Sequence, residues 1–173
     1  MKHTTVIPRT MHLRSVAFLD VENLCDTTRP DDLIVSRMTD VILHTYPWKV
    51  GDLWYVGSRK YNQLAAQIGV RVFRDATFLN GLHSTADTTD QISRMIDDLI
   101  TDGHRDHTVI ASGNDYFVDD VRKLQAHGIP VTVMSRSKRL SWQMALAADD
   151  VVLLNQFPDI PLTNPDQVLK NSA

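Results

Sequence analysis

The chain has 173 residues, of which 43% are hydrophobic and 23% charged, and its net charge is −3. These values suit one globular domain with a packed core and argue against bulk electrostatic binding of nucleic acid. A lone cysteine, Cys25, excludes an internal disulfide and a cysteine-rich zinc site, and is consistent with a cytoplasmic protein. Residues 1–14 lack an apolar signal segment, and no apolar run is long enough to span a membrane.

Hydrophobic periodicity predicts one domain at 15–154, between an N-terminal arm (1–14) and a C-terminal tail (155–173). The predicted strands are, in chain order, 15–20, 53–56, 70–73, 107–111, 129–134 and 151–154. The predicted helices are 30–44, 59–68, 87–101, 115–127 and one that includes 140–146, and residues 74–86 are predicted to form a loop. This alternation predicts an α/β fold with three αβα layers and a mostly parallel, Rossmann-like sheet of five to six strands.

Polar side chains follow two of these strands and begin one helix. They are Asp20, Glu22 and Asn23 after the first strand, Ser112, Asn114 and Asp115 after the fourth, and Asp87 and Asp90 in helix 87–101. Ligands of open α/β sheets bind at the carboxyl ends of the strands, and the first and fourth strands are commonly central, so we expect these acids to converge. Converging carboxylates favour Mg²⁺ or Mn²⁺, which activates water and stabilises charge on a phosphoryl group. Helix capping and compensation of the helix dipole are the alternative roles.

Cations flank the same edge of the predicted sheet. They are Arg59 and Lys60 after the second strand, Arg74 after the third, and Arg136, Lys138 and Arg139 after the fifth. Acidic residues flanked by basic residues suit the binding of a phosphate backbone across a metal site. The alternative for each basic residue is that it is only a solvated surface charge. His104 and His107 are expected at the opposite edge, away from the acids, and Trp54 and Trp142 are expected in the core.

Three segments carry a resemblance to a known family: Asp20 to Asn23, Ser112 to Phe117, and Val131 to Ser135. On these residues, and on the pattern from Ser135 through Ala147-Ala148-Asp149, the sequence resembles bacterial NYN-domain proteins of the PIN-like superfamily of metal-dependent ribonucleases. The resemblance covers about residues 15–154.

The resemblance implies a sheet with strand order about 3-2-1-4-5 and an acidic pocket that holds Mg²⁺ or Mn²⁺. Asp20 then corresponds to the first-strand ligand, Asn23 to its polar partner and Asp87 to the acid that begins a helix, while Ser112 and Gly113 match the turn after the fourth strand. Only part of the family shares an acid at Glu22.

One position departs from the family pattern. Asn114 stands where the family usually has Asp, and the second common Asp of this turn falls on Tyr116. An amide lacks the charge of a carboxylate and therefore binds a divalent ion more weakly. Asp115, Asp90 or Asp119 would have to supply the missing charge.

The favoured hypothesis is a metal-dependent endoribonuclease acting on single-stranded RNA. Its catalytic residues would be Asp20, Asp87, Asn114 and Asp115; its metal ligands Asp20, Asp87, Asp90 and Asp115; and its substrate-binding residues Asn23, Ser112, Arg136, Lys138 and Arg139. The alternative is a catalytically weak or inactive module that binds RNA, a protein partner or a second copy of the chain. A phosphatase of the haloacid-dehalogenase type, with Asp20 as nucleophile, ranks last because Glu22 stands where that family has Asp.

Overall fold

A single parallel sheet organises the protein, whose computed structural model describes residues 15–27, 32–45, 51–56, 79–80, 88–103 and 105–154. Its strands are β1 (Ser15–Asp20), β2 (Gly51–Val56), β3 (Leu79–Asn80), β4 (His107–Ala111), β5 (Val131–Ser135) and β6 (Asp150–Leu153). They lie in the order β3-β2-β1-β4-β5-β6, and every neighbouring pair is parallel. β1 therefore has a strand on each side, with Phe18 in register with Trp54 of β2 and Ile110 of β4.

Helices supply the two apolar layers that cover the sheet. The helices are α1 (Val21–Cys25), α2 (Asp32–Thr45), α3 (Thr88–Asp102), a 3-10 helix (Asp115–Phe117), α4 (Val118–Ala126) and α5 (Trp142–Ala147). Ala17 and Leu19 of β1 pack in one cluster with α1 and α2, whereas Val16 and Phe18 pack in a second cluster with α3 and α4. Successive strand residues face opposite sides, so the apolar run of β1 fills both layers.

The α/β class with a parallel sheet is confirmed, as is the expectation that the first and fourth strands adjoin. The apolar period of α3 is also confirmed, because Ile92, Ile96 and Leu99 are buried. None of the helices in the described ranges combines the length and the apolar composition needed to cross a membrane.

Three details of the sequence-based description are wrong. Helix α1 follows β1 directly and was not predicted, because Asp20 caps it after a run that reads only as a strand. β3 lies inside the segment 74–86, which was expected to be entirely loop. Trp142 was expected in the core, but its side chain is 68% exposed.

Several predictions fall on residues that the structure does not describe. These are the arm 1–14, the strand 70–73, the helix 59–68, the tail 155–173, Asp87, His104 and the cations Arg59, Lys60 and Arg74.

Candidate functional site

Asp20 is the buried acid of the candidate site. It is the last residue of β1 and is only 4% exposed. Its Oδ1 accepts a hydrogen bond from the backbone N–H of Asn23 at 3.2 Å, the usual bond of an aspartate that caps a helix. Its Oδ2 accepts a hydrogen bond from the Ser112 hydroxyl at 2.9 Å. The carboxylate is therefore held from its own helix and from the turn that follows β4.

One further contact joins the same two turns, and another lies within the turn after β4. The side-chain oxygen of Asn23 accepts the backbone N–H of Gly113 at 3.0 Å, and the Ser112 hydroxyl accepts the backbone N–H of Asn114 at 3.2 Å. Because β1 and β4 are parallel neighbours, their carboxyl ends lie at the same edge of the sheet. The structure thus brings together Asp20, Asn23, Ser112 and Gly113, which the sequence predicts to share one site.

The loop after β5 packs against this pair of turns. The carbonyl oxygen of Gly113 accepts the backbone N–H of Ser141 at 2.9 Å. A Cβ atom on Gly113 would overlap the backbone of Arg139 and would lie 2.5 Å from the Ser135 hydroxyl oxygen. Glycine is required here because the two chain segments approach too closely for a side chain.

Asn114 and Asp115 begin the 3-10 helix. The side-chain oxygen of Asn114 accepts the backbone N–H of Tyr116 at 3.1 Å, so Asn114 performs the capping role that was the alternative interpretation of this turn. Asp115 is exposed at the first position of the 3-10 helix.

Asp90 contacts the turn after β4 from the first turn of α3. Its Oδ1 accepts a hydrogen bond from the Tyr116 hydroxyl at 2.6 Å. Tyr116 therefore binds a carboxylate at this turn and does not supply one.

The oxygen donors around Asp20 suit a hard cation in their chemistry, since carboxylate, amide and hydroxyl oxygens are the ligands that Mg²⁺ accepts. Within the described ranges, however, no three side chains of His, Cys, Asp or Glu gather closely enough to hold a metal ion. Asp87, the third predicted acid, lies outside those ranges.

The predicted cations after β5 have different surroundings. Arg139 forms an ion pair with Asp26, the residue that ends α1 in a left-handed conformation with φ 59°. The Nη1 atom of Arg136 is buried and has no hydrogen-bond partner among the described residues. Lys138 is exposed on the same loop. The ion pair of Arg139 ties this loop to α1, beside the candidate site.

His107 lies at the opposite edge of the sheet, as the sequence predicts. It is the first residue of β4, and its Nε2 is 2.9 Å from the Thr132 hydroxyl oxygen. Burial lowers the pKa of His107, against the opposing effect of Asp150 and Asp149. Because His107 begins β4 and Asp20 ends the neighbouring parallel strand β1, the two residues lie at opposite edges of the sheet.

Sequence reasoning missed two contacts at the site, the Asp26–Arg139 ion pair and the Tyr116–Asp90 hydrogen bond. Both join residues far apart in the chain, so periodicity gave no indication of either. An aspartate just after a short helix does favour the left-handed conformation that Asp26 adopts.

Neither the known protein-family models nor the curated protein sequences match the chain. Among solved structures, it is similar to a protein of unknown function from Vibrio parahaemolyticus, with a TM-score of 0.54 and 18% identity over 86% of this chain and 98% of that one. It is also similar to a UDP-GlcNAc 2-epimerase from Neisseria meningitidis bound to UDP-GlcNAc, with a TM-score of 0.49 and 12% identity over 92% of this chain and 43% of that one. The chain therefore spans less than half of the epimerase. At 18% identity the similarity to the Vibrio protein shows only the fold. The similarity to the epimerase, with a TM-score of 0.49, supports no conclusion about this chain.

Proposed function

We propose that the protein is a metal-dependent endoribonuclease of the NYN type in the PIN-like superfamily, acting on single-stranded RNA in the cytoplasm. The observation that carries the proposal is the buried Asp20 carboxylate, fixed at the carboxyl end of a central parallel strand by Asn23 and Ser112. This is the position at which open α/β sheets bind their ligands. The proposal includes the three-layer PIN-like form of the fold, and the order of the described strands supports it.

In this proposal each residue has a separate task. Asp20 is the anchored ligand of an Mg²⁺ or Mn²⁺ ion, and Asp87 and Asp115 complete the charge, with Asp90 nearby. A bound ion would generate hydroxide and stabilise charge on the phosphoryl group. Ser112 and Asn23 orient Asp20 and the turn after β4. Arg136, Lys138 and Arg139 contact the RNA backbone from the loop after β5.

A second candidate function is a PIN-like module that binds RNA, a protein partner or a second copy of the chain without cutting. Two observations favour it. Asn114 is engaged in capping the 3-10 helix, and the described residues do not gather three carboxylates. A pocket with one anchored carboxylate would hold a divalent ion weakly, because ion affinity rises with the number of charged ligands.

The test is cleavage of an end-labelled single-stranded RNA with Mn²⁺ or Mg²⁺, with EDTA as the chemical control. We expect Asp20→Asn to lower the metal-dependent rate by about a hundredfold or more, because the anchored charge is worth several kcal/mol in such a site. Asp98→Asn is the matched control, since Asp98 is an exposed acid of α3 to which the proposal gives no role. It should cut like the wild type, and circular dichroism should show that both variants are folded.

The contrary result is a clean, folded wild-type protein that does not cut RNA with either ion. Calorimetric titration with Mn²⁺ then separates the two functions. Binding that Asp20→Asn abolishes would leave a nuclease with a narrow substrate, whereas no binding would establish the non-cutting module and overturn the proposal.

A further inference from the structure

One of the cations assigned to the substrate is engaged by an acid of the protein itself. Arg139 lies in the loop after β5, and its guanidinium forms an ion pair with the Asp26 carboxylate at the end of α1. The Arg139 side chain is 45% exposed and the Asp26 side chain 25%, so the pair lies at the protein surface. Because the two charges nearly cancel, the paired guanidinium attracts a phosphate less strongly than a free one would.

The ion pair lies beside the candidate site, because each partner belongs to a segment that contacts Gly113. Asn23, three residues before Asp26, accepts the backbone N–H of Gly113 at 3.0 Å. The same glycine lies against the Arg139 backbone, which a Cβ atom on Gly113 would overlap. These contacts close a ring across the carboxyl ends of β1, β4 and β5.

The loop after β5 has backbone contacts that hold it without the ion pair. The backbone N–H groups of Arg139 and Leu140 donate to the carbonyl of Arg136 at 2.9 and 3.0 Å, which closes the loop on itself. The backbone N–H of Ser141 donates to the carbonyl of Gly113 at 2.9 Å, which fixes the loop to the turn after β4. The Asp26–Arg139 pair is therefore not required to keep the loop in place.

The charge balance at this edge makes the state of Arg139 important for a polyanion. Within the described ranges, acids outnumber bases among the residues that surround the site. The acids are Asp20, Glu22, Asp26, Asp90 and Asp115, and the bases are Arg136, Lys138 and Arg139. The Nη1 atom of Arg136 is buried, which places it out of reach of a phosphate. A nucleic acid that approaches these acids therefore depends on few cations, and each one withheld lowers its affinity.

We infer that the Asp26–Arg139 ion pair is an autoinhibitory contact, which the phosphate backbone of single-stranded RNA must displace in order to bind Arg139. The inference rests on the proposed function, in which Arg139 contacts that backbone, and it adds how the site is regulated. The displaced guanidinium would donate its N–H groups to phosphate oxygens in charge-assisted hydrogen bonds. Displacement costs little, because an ion pair at the surface contributes little free energy.

Asp26→Asn tests the contact because it removes the charge and keeps the shape of the side chain. Asp26 has φ 59°, and asparagine also accepts this left-handed conformation. The experiment measures binding of a fluorescein-labelled oligouridylate by anisotropy in EDTA, so that no cleavage occurs. Asp26→Asn should bind about two- to fivefold more tightly than the wild type, which is the effect of one exposed ion pair expressed as a ratio of Kd values. A purely structural pair predicts the opposite, weaker or unchanged binding.

The dependence of binding on salt is a second readout that a structural role would not change. One more phosphate contact on a single strand should steepen the fall of the logarithm of the binding constant with the logarithm of salt concentration by about 0.7. The double variant Asp26→Asn with Arg139→Gln should lose both the tighter binding and the steeper slope. It should bind as Arg139→Gln alone does.

Asp98→Asn is the matched control for the change in net charge. Asp98 is an exposed acid about 12 Å along α3 from Asp90, beyond the range over which salt leaves a surface charge effective. This variant leaves the ion pair intact and should bind oligouridylate as the wild type does. Asp26→Gly is the second test of the contact, since glycine also adopts the left-handed conformation. Circular dichroism shows which variants are folded.

The inference is overturned if folded Asp26→Asn or Asp26→Gly binds no more tightly than the wild type, or if neither variant binds oligouridylate. It is also overturned if the double variant keeps the gain, or if Asp98→Asn shows an equal gain. Binding by Asp26→Asn with none by the wild type would support the inference, because the contact would then close the site completely.

The two proposals fail separately. Tighter binding by Asp26→Asn without metal-dependent cleavage by any variant would contradict only the nuclease. Metal-dependent cleavage by the wild type, with unchanged oligouridylate binding by Asp26→Asn, would contradict only the autoinhibitory contact.

Discussion

Gly113 leaves no room for a side chain between the turn after β4 and the loop after β5. An added Cβ would overlap the backbone of Arg139, which has no flexible end that could move away. We therefore expect Gly113→Ala to lower the free energy of unfolding by about 1–3 kcal/mol or more, the usual cost of overpacking. Urea denaturation measures the change.

Gly128→Ala is the control for this prediction. Gly128 has φ +75° and open space around a built Cβ, so alanine there meets conformational strain without a clash. Its cost should be about 1–2 kcal/mol, the penalty of a left-handed residue with a side chain. A Gly113→Ala variant as stable as the wild type would contradict the close approach.

His107 makes stability depend on pH at the amino end of β4. Burial lowers its pKa below the ordinary 6.5, so on acidification the unfolded chain takes up this proton before the folded protein does. Above about pH 6.5 the titration of His107 therefore leaves the free energy of unfolding unchanged. As the pH falls from there through the pKa of His107 in the folded protein, this titration lowers the free energy of unfolding. His107→Gln should lose less stability than the wild type between about pH 7.5 and pH 5.5.

Urea denaturation at the two pH values gives the difference between these slopes. The other histidines are common to both proteins, so the difference isolates His107. Equal slopes would show that His107 titrates alike in the folded and unfolded chains.

At the scale of elements, a polar ladder joins α3 to the 3-10 helix and to α4. Its rungs pair Asp90 with Tyr116, Ser93 with Asp120 and Asp97 with Lys123, at 2.6, 2.6 and 3.0 Å. Successive rungs stand three or four residues apart on each side, the spacing that keeps side chains on one helix face. The Asp90–Tyr116 hydrogen bond connects α3 to the turn that carries Asn114, and it therefore links Asp90 to the candidate site.

We expect the middle rung to contribute most to stability, because Asp120 is only 4% exposed whereas the other two hydrogen bonds are exposed. Ser93→Ala would remove the hydroxyl that donates to its Oδ2, while Oδ1 would keep its ion pair with Lys123 at 3.7 Å. The loss should cost about 1.5–3 kcal/mol, the usual contribution of a hydrogen bond to a charged group. Thr101→Ala is the control in the same helix, because the Thr101 hydroxyl donates to the carbonyl of Asp97 in an exposed hydrogen bond of 2.9 Å. Thermal or urea unfolding should show a change within about 0.5 kcal/mol for that variant, and a similar value for Ser93→Ala would contradict the prediction.

For the molecule as a whole, apolar patterning predicts β1, β4 and β5 well because these three strands are almost entirely buried. The run Val16–Leu19 is fully covered, and an apolar run of this length is typical of a parallel strand buried on both faces. The position of Asp20 beside Ser112 is predicted because Asp20 ends β1, Ser112 follows β4, and the carboxyl ends of neighbouring parallel strands lie at one edge of the sheet. This much of the site follows from the sequence alone.

The remaining features depend on which helix faces meet. Trp142 and Met144 both look like core residues in the sequence, but they stand on opposite sides of α5 and only Met144 is buried. A short helix has too few residues for its apolar period to identify the buried face. The Arg139–Asp26 ion pair escaped prediction for a related reason, because it depends on where a loop crosses a helix end.

The bond between Asn23 and Gly113 spans 90 positions of the chain. At about 5–20 residues synthesised per second, Asn23 leaves the ribosome roughly 5–20 s before its partner exists. During that interval the β4 side of β1 is an open strand edge, which other chains can pair with. Chaperone protection of the nascent chain is thus most needed until β4 has emerged, and a product truncated before His107 would keep the open edge permanently.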